Sequence, residues 1–311
     1  MNLIIVESPA KCKKIESFLD KSYKVEATFG HLRQLSSLND IDDEFNITFQ
    51  NIKEKLKKIK KLKDLIDKSS QVIIATDNDR EGEAIAWHVT QLFNLPINTK
   101  RIIFNEITKD AITSALQNPT TLDINIVESQ QTRQILDIFV GFKISPFLWK
   151  NVSAKNNLSA GRCQTPALNL IYENYLDHKN SIPLPIYNTI GYFTSKNIEF
   201  KLNKQFENSN DVLDILNNCK SRVFNMNHHD TKQCVRSPPK PFITSTIQQK
   251  CSTLYHISPK ETMSICQSLY ESGFITYMRT DSFHLSNEFV NSTNKYISSN
   301  YGNKYWNLEM D

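Results

Sequence analysis

Asp77, Asp79 and Glu81 stand two residues apart at the end of the apolar run Val72-Ile73-Ile74-Ala75. In an extended backbone alternate residues point the same way, so the three carboxylates would converge. Converging carboxylates repel unless a cation lies between them, and hard oxygen donors suit Mg²⁺. Taken alone, Asp-x-Asp more often marks a solvated acidic turn. Glu7 ends another apolar run, Leu3 to Val6. If both runs are strands of one sheet, Glu7 becomes a candidate ligand or general acid/base. Lys11 follows in what would be the first turn of a helix; spacing alone reads it as a surface lysine.

A second dense segment is Gly273 to Ser282. Tyr277 and Arg279 are two apart in a stretch that reads as extended, so both could face one phosphate. A phenol ionises near pH 10, leaving about 0.1% as phenolate at neutrality. A nucleophilic tyrosine therefore needs cations or a base beside it. Arg279, Lys11 and Mg²⁺ could supply that field; a half-buried core tyrosine is the bland reading. In Ser159-Ala160-Gly161-Arg162-Cys163-Gln164 a small-residue turn precedes a helix. Backbone amides at such a turn suit a phosphate, and Arg162 adds a charge-assisted clamp; a tight packing turn is the alternative.

The elements that must hold these residues read as strands alternating with helices. Leu3–Val6, Val72–Ala75 and Arg101–Phe104 read as buried strands. Helices follow with Ile15, Phe18 and Leu19, then with residues 84–93, then with Ala111, Ile112, Ala115 and Leu116 after a Thr108 N-cap. This alternation implies a mostly parallel sheet covered on both faces, with ligands at the carboxyl ends of the strands. Residues 52–66 carry apolar positions at helical spacing with lysines between, which reads as an amphipathic helix with a solvated lysine face.

After Pro119 the pattern changes. Helical spacing runs from Ile124 to Trp149, with Pro146 breaking or starting a helix, then a polar loop over Asn151–Asn157 and a helix near 165–174. Pro183 and Pro185 mark a boundary. Strands are expected at Ile186–Phe193, Ile198–Leu202 and Arg222–Met226, with a short helix at Val212–Leu216. Pro238, Pro239 and Pro241 punctuate the next junction, and helical signals resume through Ile247, Leu254, Met263, Ile265 and Leu269.

The 311 residues carry 39% hydrophobic and 23% charged side chains, typical of folded globular protein. The net charge of +4 and pI of about 8.6 permit nucleic-acid binding without requiring it. No apolar run reaches a membrane span, and the N-terminus has no basic region or small-residue cleavage site. The six cysteines form no Cys-x-x-Cys pair, so reduced thiols in an intracellular protein are expected rather than a zinc ribbon.

Taken together, the segments resemble the type IA DNA topoisomerases. The resemblance rests on Val6-Glu7-Ser8-Pro9-Ala10-Lys11, Gly30-His31-Leu32-Arg33, Ala75 to Glu83, and Phe104-Asn105-Glu106-Ile107-Thr108. It continues with Gln130-Gln131-Thr132-Arg133, Asp137, Val140-Gly141 and Ser159 to Gln164. Pro239-Lys240-Pro241-Phe242, Thr244-Ser245-Thr246 and Ile275 to Ser282 complete the set. The motifs occur in the family's order and cover about residues 1–286.

The resemblance implies a multidomain core. An α/β Toprim domain (1–121) would hold Mg²⁺, followed by a helical DNA-binding segment (122–182), a β-rich arch segment (183–238) and part of the tyrosine domain (239–311). It implies ATP-independent cleavage of one DNA strand by Tyr277 through a 5′-phosphotyrosine, then strand passage and religation that relax negative supercoils. Arg279 and Lys11 would balance the phosphate charge. Glu7, Asp77, Asp79 and Glu81 would arrange Mg²⁺, with Glu7 also handling the 3′-hydroxyl proton. His31, Arg133, Asp137, Lys143, Lys150 and the turn Ser159, Ala160, Gly161, Arg162, Cys163 and Gln164 would hold single-stranded DNA. An intracellular, nucleoid-associated protein is expected.

The chain departs from the family's bacterial pattern in several places. Gln134 follows Arg133 and Ile138 follows Asp137, where further arginines are common. Cys163 replaces an aliphatic residue. No His-Glu-Ala-Ile-Arg-Pro-like segment follows Tyr277, so the core is expected to be incomplete at its C-terminal side, with a second chain as one possible source of the rest. A DNA-binding remnant without strand passage, or a Toprim primase or nuclease, are the other readings. The tyrosine segment argues against the last.

Overall fold

A computed structural model of the chain describes residues 1–153, 158–225, 234, 236 and 239–306. Part of the polar loop expected at Asn151–Asn157, the end of the strand expected at Arg222–Met226, and Pro238 lie outside the described residues. The chain divides into two compact units, one formed by Met1–Gly161 with Pro239–Asp311, the other by Arg162–Pro238.

The first unit is built on a four-stranded parallel sheet. Its strands are β1 (Asn2–Val6), β2 (Tyr23–Ala27), β5 (Gln71–Ala75) and β6 (Lys100–Arg101), in the order β2-β1-β5-β6. A two-stranded antiparallel ribbon, β3 (Arg33–Gln34) with β4 (Gln50–Asn51), lies outside it. Strand β2 was not legible in the sequence, because Tyr23-Lys24-Val25-Glu26-Ala27 mixes charge with apolar residues. It pairs with β1 over the whole length of both. The third strand expected at 101–104 keeps only two ladder residues, although the Ile102 amide still donates to the Ile74 carbonyl at 2.8 Å.

The sheet alternates across its two faces. Ile4 and Val6 look into one apolar cluster, Leu3 and Ile5 into the other, all fully buried. Each such side chain contributes roughly 1.5–3 kcal/mol through burial. The first cluster gathers α1 (Pro9–Glu16), whose Ile15 is buried, and α4 (Lys109–Gln117), capped by Thr108, whose hydroxyl accepts from the Ala111 amide at 3.3 Å. The second gathers α2 (Leu56–Asp67) through Leu62, and α3 (Arg80–Leu92) through Ala86 and Val89.

Helix α3 packs on α5 (Ile124–Phe139), which runs through a π-helical segment at Val140–Ile144 into α6 (Ser145–Asn151). Pro146 thus sits in the first turn of a new helix, where its missing N–H costs nothing.

The chain re-enters this unit with α9 (Thr244–Tyr255), α10 (Pro259–Glu271) and α11 (Asn287–Asn300). On α10 the buried face is Thr262, Cys266 and Tyr270, one position beyond the expected Ile265 and Leu269, which are exposed. That face joins the first cluster beside Ile4 and Val6 and so delivers the Tyr277 segment to the sheet.

The second unit holds α7 (Gln164–Asn180), the hairpin of β7 (Ile190–Phe193) and β8 (Ile198–Lys201), and α8 (Ser209–Cys219). Helix α7 therefore groups with the hairpin rather than with the helices before it. Thr194 and Asn197 take positive φ at the hairpin turn. Residues 222–225 form no strand.

Glycine is required where β5 turns into α3. A Cβ on Gly82 would lie 2.2 Å from the Asp77 carbonyl oxygen, a backbone atom that cannot swing aside. Gly82→Ala should therefore destabilise the chain by more than about 2 kcal/mol in urea unfolding. Gly141→Ala, which meets nothing within 4 Å, should be neutral or stabilising. Equal effects at the two positions would refute this account of the β5–α3 turn.

Candidate active site

Parallel pairing sets the site. Val6 lies beside Ala75 in the β1–β5 register, so Glu7 and the Thr76–Asp79 turn leave the sheet side by side. The Glu7 Oε1 accepts from the Asp77 amide at 2.9 Å. A buried pair behind them fixes the turn: Arg101 Nη1 lies 2.7 Å from Glu83 Oε2, and Arg101 Nη2 donates to the Asp77 carbonyl at 3.1 Å. Breaking such a buried pair costs on the order of 3–5 kcal/mol.

The expectation that Asp77, Asp79 and Glu81 face one point does not hold. Extended backbone ends at Asp79, which is the N-cap of α3: its Oδ1 accepts from the Gly82 amide at 2.8 Å, and the helix starts at Arg80. Glu81 is already helical and so turns to another side. Each carboxylate has its own partners. Asp77 pairs with the fully buried Lys11, whose ammonium also lies 5.0 Å from the Tyr270 ring centroid. Asp79 Oδ2 accepts from the Tyr277 hydroxyl at 2.5 Å and from Arg279 Nη1 at 3.0 Å. Glu81 Oε2 lies 3.2 Å from His31 Nε2 and accepts from the Gln130 side-chain amide at 3.2 Å, while Arg133 is 3.9 Å from its other oxygen. Among the described residues no three acidic, imidazole or thiol side chains form a ready-made metal cage.

Tyr277 and Arg279 do share a side, as their spacing predicts, and the shared target is one oxygen of Asp79. Several contacts hold them there. The Tyr277 amide donates to the Asn105 carbonyl at 2.7 Å. The Thr244 hydroxyl at the start of α9 donates to the Met278 carbonyl at 2.8 Å and accepts from the Thr280 amide at 3.0 Å. Gly273 takes φ +76 to enter this stretch, and a Cβ there would meet the Ile107 carbonyl at 2.9 Å.

Charge competition decides the protonation states. Burial first, and then Asp77, push Glu7 up from 4.5 to about 7. Burial would also raise Asp79, but the hydrogen bonds from Tyr277 and Gly82 and the charge of Arg279 together hold it below the usual carboxylate value. The His31 hydrogen bond, against burial, holds Glu81 low as well. Burial and the bond to Asp79 push Tyr277 far above an ordinary phenol. Tyr277 is therefore kept as a phenol, hydrogen-bonded to the Asp79 carboxylate.

Glu7, Asp77 and Asp79 supply hard oxygen donors close together, and after burial the charge of Asp77 is the next cause that pushes Glu7 up. That chemistry fits Mg²⁺. Glu81 belongs to the His31–Gln130–Arg133 group instead.

His31 and Arg133 meet through Glu81. Lys143 lies 4.7 Å from the Phe139 ring centroid in the π-helical segment, Lys150 is exposed on α6, and Asp137 is exposed on α5. The amide of buried Ala160 donates to Ser145 Oγ at 3.0 Å, so it is not the free phosphate donor expected of that turn. Ser159 and Gly161 belong to the first unit, whereas Arg162, Cys163 and Gln164 open the second.

Tyr270 has no counterpart in the sequence reading. It is fully buried, its hydroxyl donates to Asp77 Oδ1 at 3.4 Å, and its ring meets Tyr277 edge-on at 5.1 Å. Its signal was the i, i+4 spacing from Cys266. Arg33 and His88 were also unassigned. Burial pushes His88 down to about 3, so its neutral ring accepts from Arg33 Nε at 3.1 Å. Arg33 in turn lies 5.2 Å from the Trp87 ring centroid, which anchors the His31 loop.

The Glu7 shift gives a pH dependence. Below about 4.5 Glu7 is protonated folded and unfolded; between 4.5 and about 7 the folded chain keeps a proton that the unfolded chain releases. Stability then falls as pH rises through that window. In chelator, wild type should lose stability relative to Glu7→Gln between about pH 5 and about pH 8 in urea unfolding. Parallel curves would show that Glu7 is not perturbed.

A Toprim domain family matches residues 2–107, and a family described as DNA topoisomerase matches residues 121–311. DNA topoisomerase 1 of Campylobacter jejuni is 40% identical over 327 residues, covering 98% of this chain and 46% of that protein. The structure of full-length topoisomerase I from Thermotoga maritima matches with a TM-score of 0.84 and 36% identity, covering 98% of this chain and 54% of that one. The chain thus spans about half the length of these relatives. It belongs to the type IA DNA topoisomerase family, with a Toprim domain at its amino-terminal end.

Proposed function

We propose that this chain carries the strand-cleaving chemistry of a type IA topoisomerase and acts on single-stranded segments of negatively supercoiled DNA. The observation that carries the reading is the meeting of Tyr277 and Arg279 on one oxygen of Asp79, beside the Lys11–Asp77 pair and Glu7. Residues 1–121 serve as the cleavage and cation domain, 122–182 hold the strand, 183–238 form an arch segment and 239–311 present the tyrosine.

In the forward step the Tyr277 oxygen attacks a backbone phosphorus and its proton passes to Asp79, the acceptor 2.5 Å away. The bond from phosphorus to the 3′ oxygen breaks, leaving a 5′-phosphotyrosine, and Glu7 returns a proton to the leaving 3′ oxygen. Arg279 and Lys11 offset the charge that builds on the phosphate. Mg²⁺ held by Glu7, Asp77 and Asp79 would add further charge neutralisation. Religation reverses each movement. One phosphodiester replaces another, so ATP is not consumed. His31, Arg133, Lys143, Lys150 and the Ser159–Gln164 turn hold the strand mainly through its phosphates. A DNA substrate places the protein inside the cell.

The second unit exposes Leu168, Ile171 and Tyr172 on α7 and Tyr192 and Phe200 on the hairpin. Strand passage then needs the further length that the relatives carry, in this chain or supplied by a second one, to cover these faces. Adding the remainder of a relative should raise plasmid relaxation above that of the chain alone.

Incubation with labelled single-stranded oligonucleotide and Mg²⁺ should yield a denaturant-resistant adduct. Tyr277→Phe should abolish it, and Asp79→Asn or Arg279→Ala should lower its rate by about 10²-fold. Glu81→Gln, away from the tyrosine, should change it only a few-fold. An adduct that survives Tyr277→Phe would refute the assignment; DNA binding with no adduct would support a non-cleaving remnant instead.

A further inference from the structure

The lysine helix remains outside the cleavage chemistry. Residues 53–68 hold eight lysines against three acids, a net charge of +5, while the whole chain carries only +4. The chain's entire positive excess therefore sits on this one stretch, α2 with the short turn before it and its C-cap. Only Leu62 of α2 is buried, with Ile59, Leu65 and Ile66 packed partly beneath it, so its lysines face outward except Lys58, which is partly covered on Glu26. They border an open groove lined by Phe29, Glu54, Lys55, Lys57, Lys58 and Lys61.

Phe29 is the unusual member. It is 50% exposed and takes φ +61, a left-handed backbone uncommon for a bulky residue. Its placement is nonetheless held. Lys55 Nζ donates to the Phe29 carbonyl at 2.6 Å, and the Lys55 and Lys58 ammonium groups lie 5.6 and 4.4 Å from its ring centroid. Lys58 is further tied to Glu26, and Lys61 lies 2.8 Å from that carboxylate. A solvated lysine face alone does not require an aromatic ring held out among ammonium groups at a costly backbone angle. A ring flanked by cations is the combination that receives a nucleotide, with the base stacked and the phosphate paired. Phe29 is also two residues from His31, which contacts Glu81.

We propose that Phe29 and the exposed lysines of α2, Lys57 and Lys61 foremost, form a second surface for single-stranded DNA, which continues the strand's path away from the cleavage site. A base stacks on Phe29, and successive phosphates lie along the helix. The placement of the path rests on the DNA-cleaving function proposed above.

The test uses the full chain with Phe29→Leu and with Lys57→Gln/Lys61→Gln. Binding is read by fluorescence anisotropy against oligonucleotides of about 8 and about 24 nucleotides, with adduct formation on the short one read in parallel. Circular dichroism and thermal melts check the fold. The lysine pair should weaken binding of the long strand several-fold and reduce its salt slope by about 1.4. Phe29→Leu should weaken the long single strand about 5-fold or more while leaving a duplex of equal length unaffected. Adduct formation on the short oligonucleotide should not change. Long-strand binding equal to wild type in both variants, with the adduct intact, overturns this surface and leaves the cleavage proposal standing. Equal losses on single strand and duplex overturn the stacking role of Phe29. If wild type forms no adduct yet the variants lose long-strand binding as expected, the surface stands and the cleavage reading fails.

Discussion

Charge balance at the carboxyl ends of two neighbouring parallel strands governs this structure. Glu7 follows β1 and Asp77 follows β5, and the register sets them side by side. Asp79 completes the group within one turn. Such a concentration of acid is held only because Lys11, Arg279 and the Tyr277 hydroxyl are brought against it. Burial, and after it the charge of Asp77, holds the Glu7 proton to about 7. A site built this way already has a place for positive charge, whether from an arginine or from a divalent ion.

Asp79 links the helix to the chemistry. One oxygen caps α3 and the other receives Tyr277 and Arg279, so the carboxylate cannot rotate without releasing a helix N-terminus. The same cap explains why Glu81 leaves the group. Once the helix begins at Arg80, side chains fan out around its axis, and Glu81 turns toward His31, Gln130 and Arg133. The acidic motif therefore divides between two tasks: Asp77 and Asp79 stand at the tyrosine, while Glu81 fixes the histidine and the arginine.

The tyrosine comes from about two hundred residues away, and burial of α10 is what brings it. Cys266 and Tyr270 pack with the sheet residues Ile4 and Val6, and Tyr277 leaves that helix through Gly273 and an extended stretch pinned at Asn105 and Thr244. Tyr270 is continuous with both sides. It belongs to the apolar cluster, touches Asp77 and stacks edge-on against Tyr277. The residues that pack the core on α10 are thus the same ones that place Tyr277 beside Asp77 and Asp79.

Much of this was legible in the sequence because it is local. Apolar runs ending in acids gave β1 and β5, the Thr108 cap gave α4, and the two-residue spacing of Tyr277 and Arg279 gave their common side. The ordered motifs gave the family. What the sequence misread required knowledge of where extended backbone stops: the spacing of Asp77, Asp79 and Glu81 implies convergence only if no helix starts among them. Strand β2 was hidden because its ladder depends on β1 rather than on its own mixed residues. The buried face of α10 fell one position from the expected one, since Ile265 and Leu269 are as apolar as the residues that pack. Residue types and their order settled the chemistry available to this chain. Tertiary structure alone decided which carboxylate meets which cation, because those partners lie up to two hundred residues apart and burial, not spacing, pairs them.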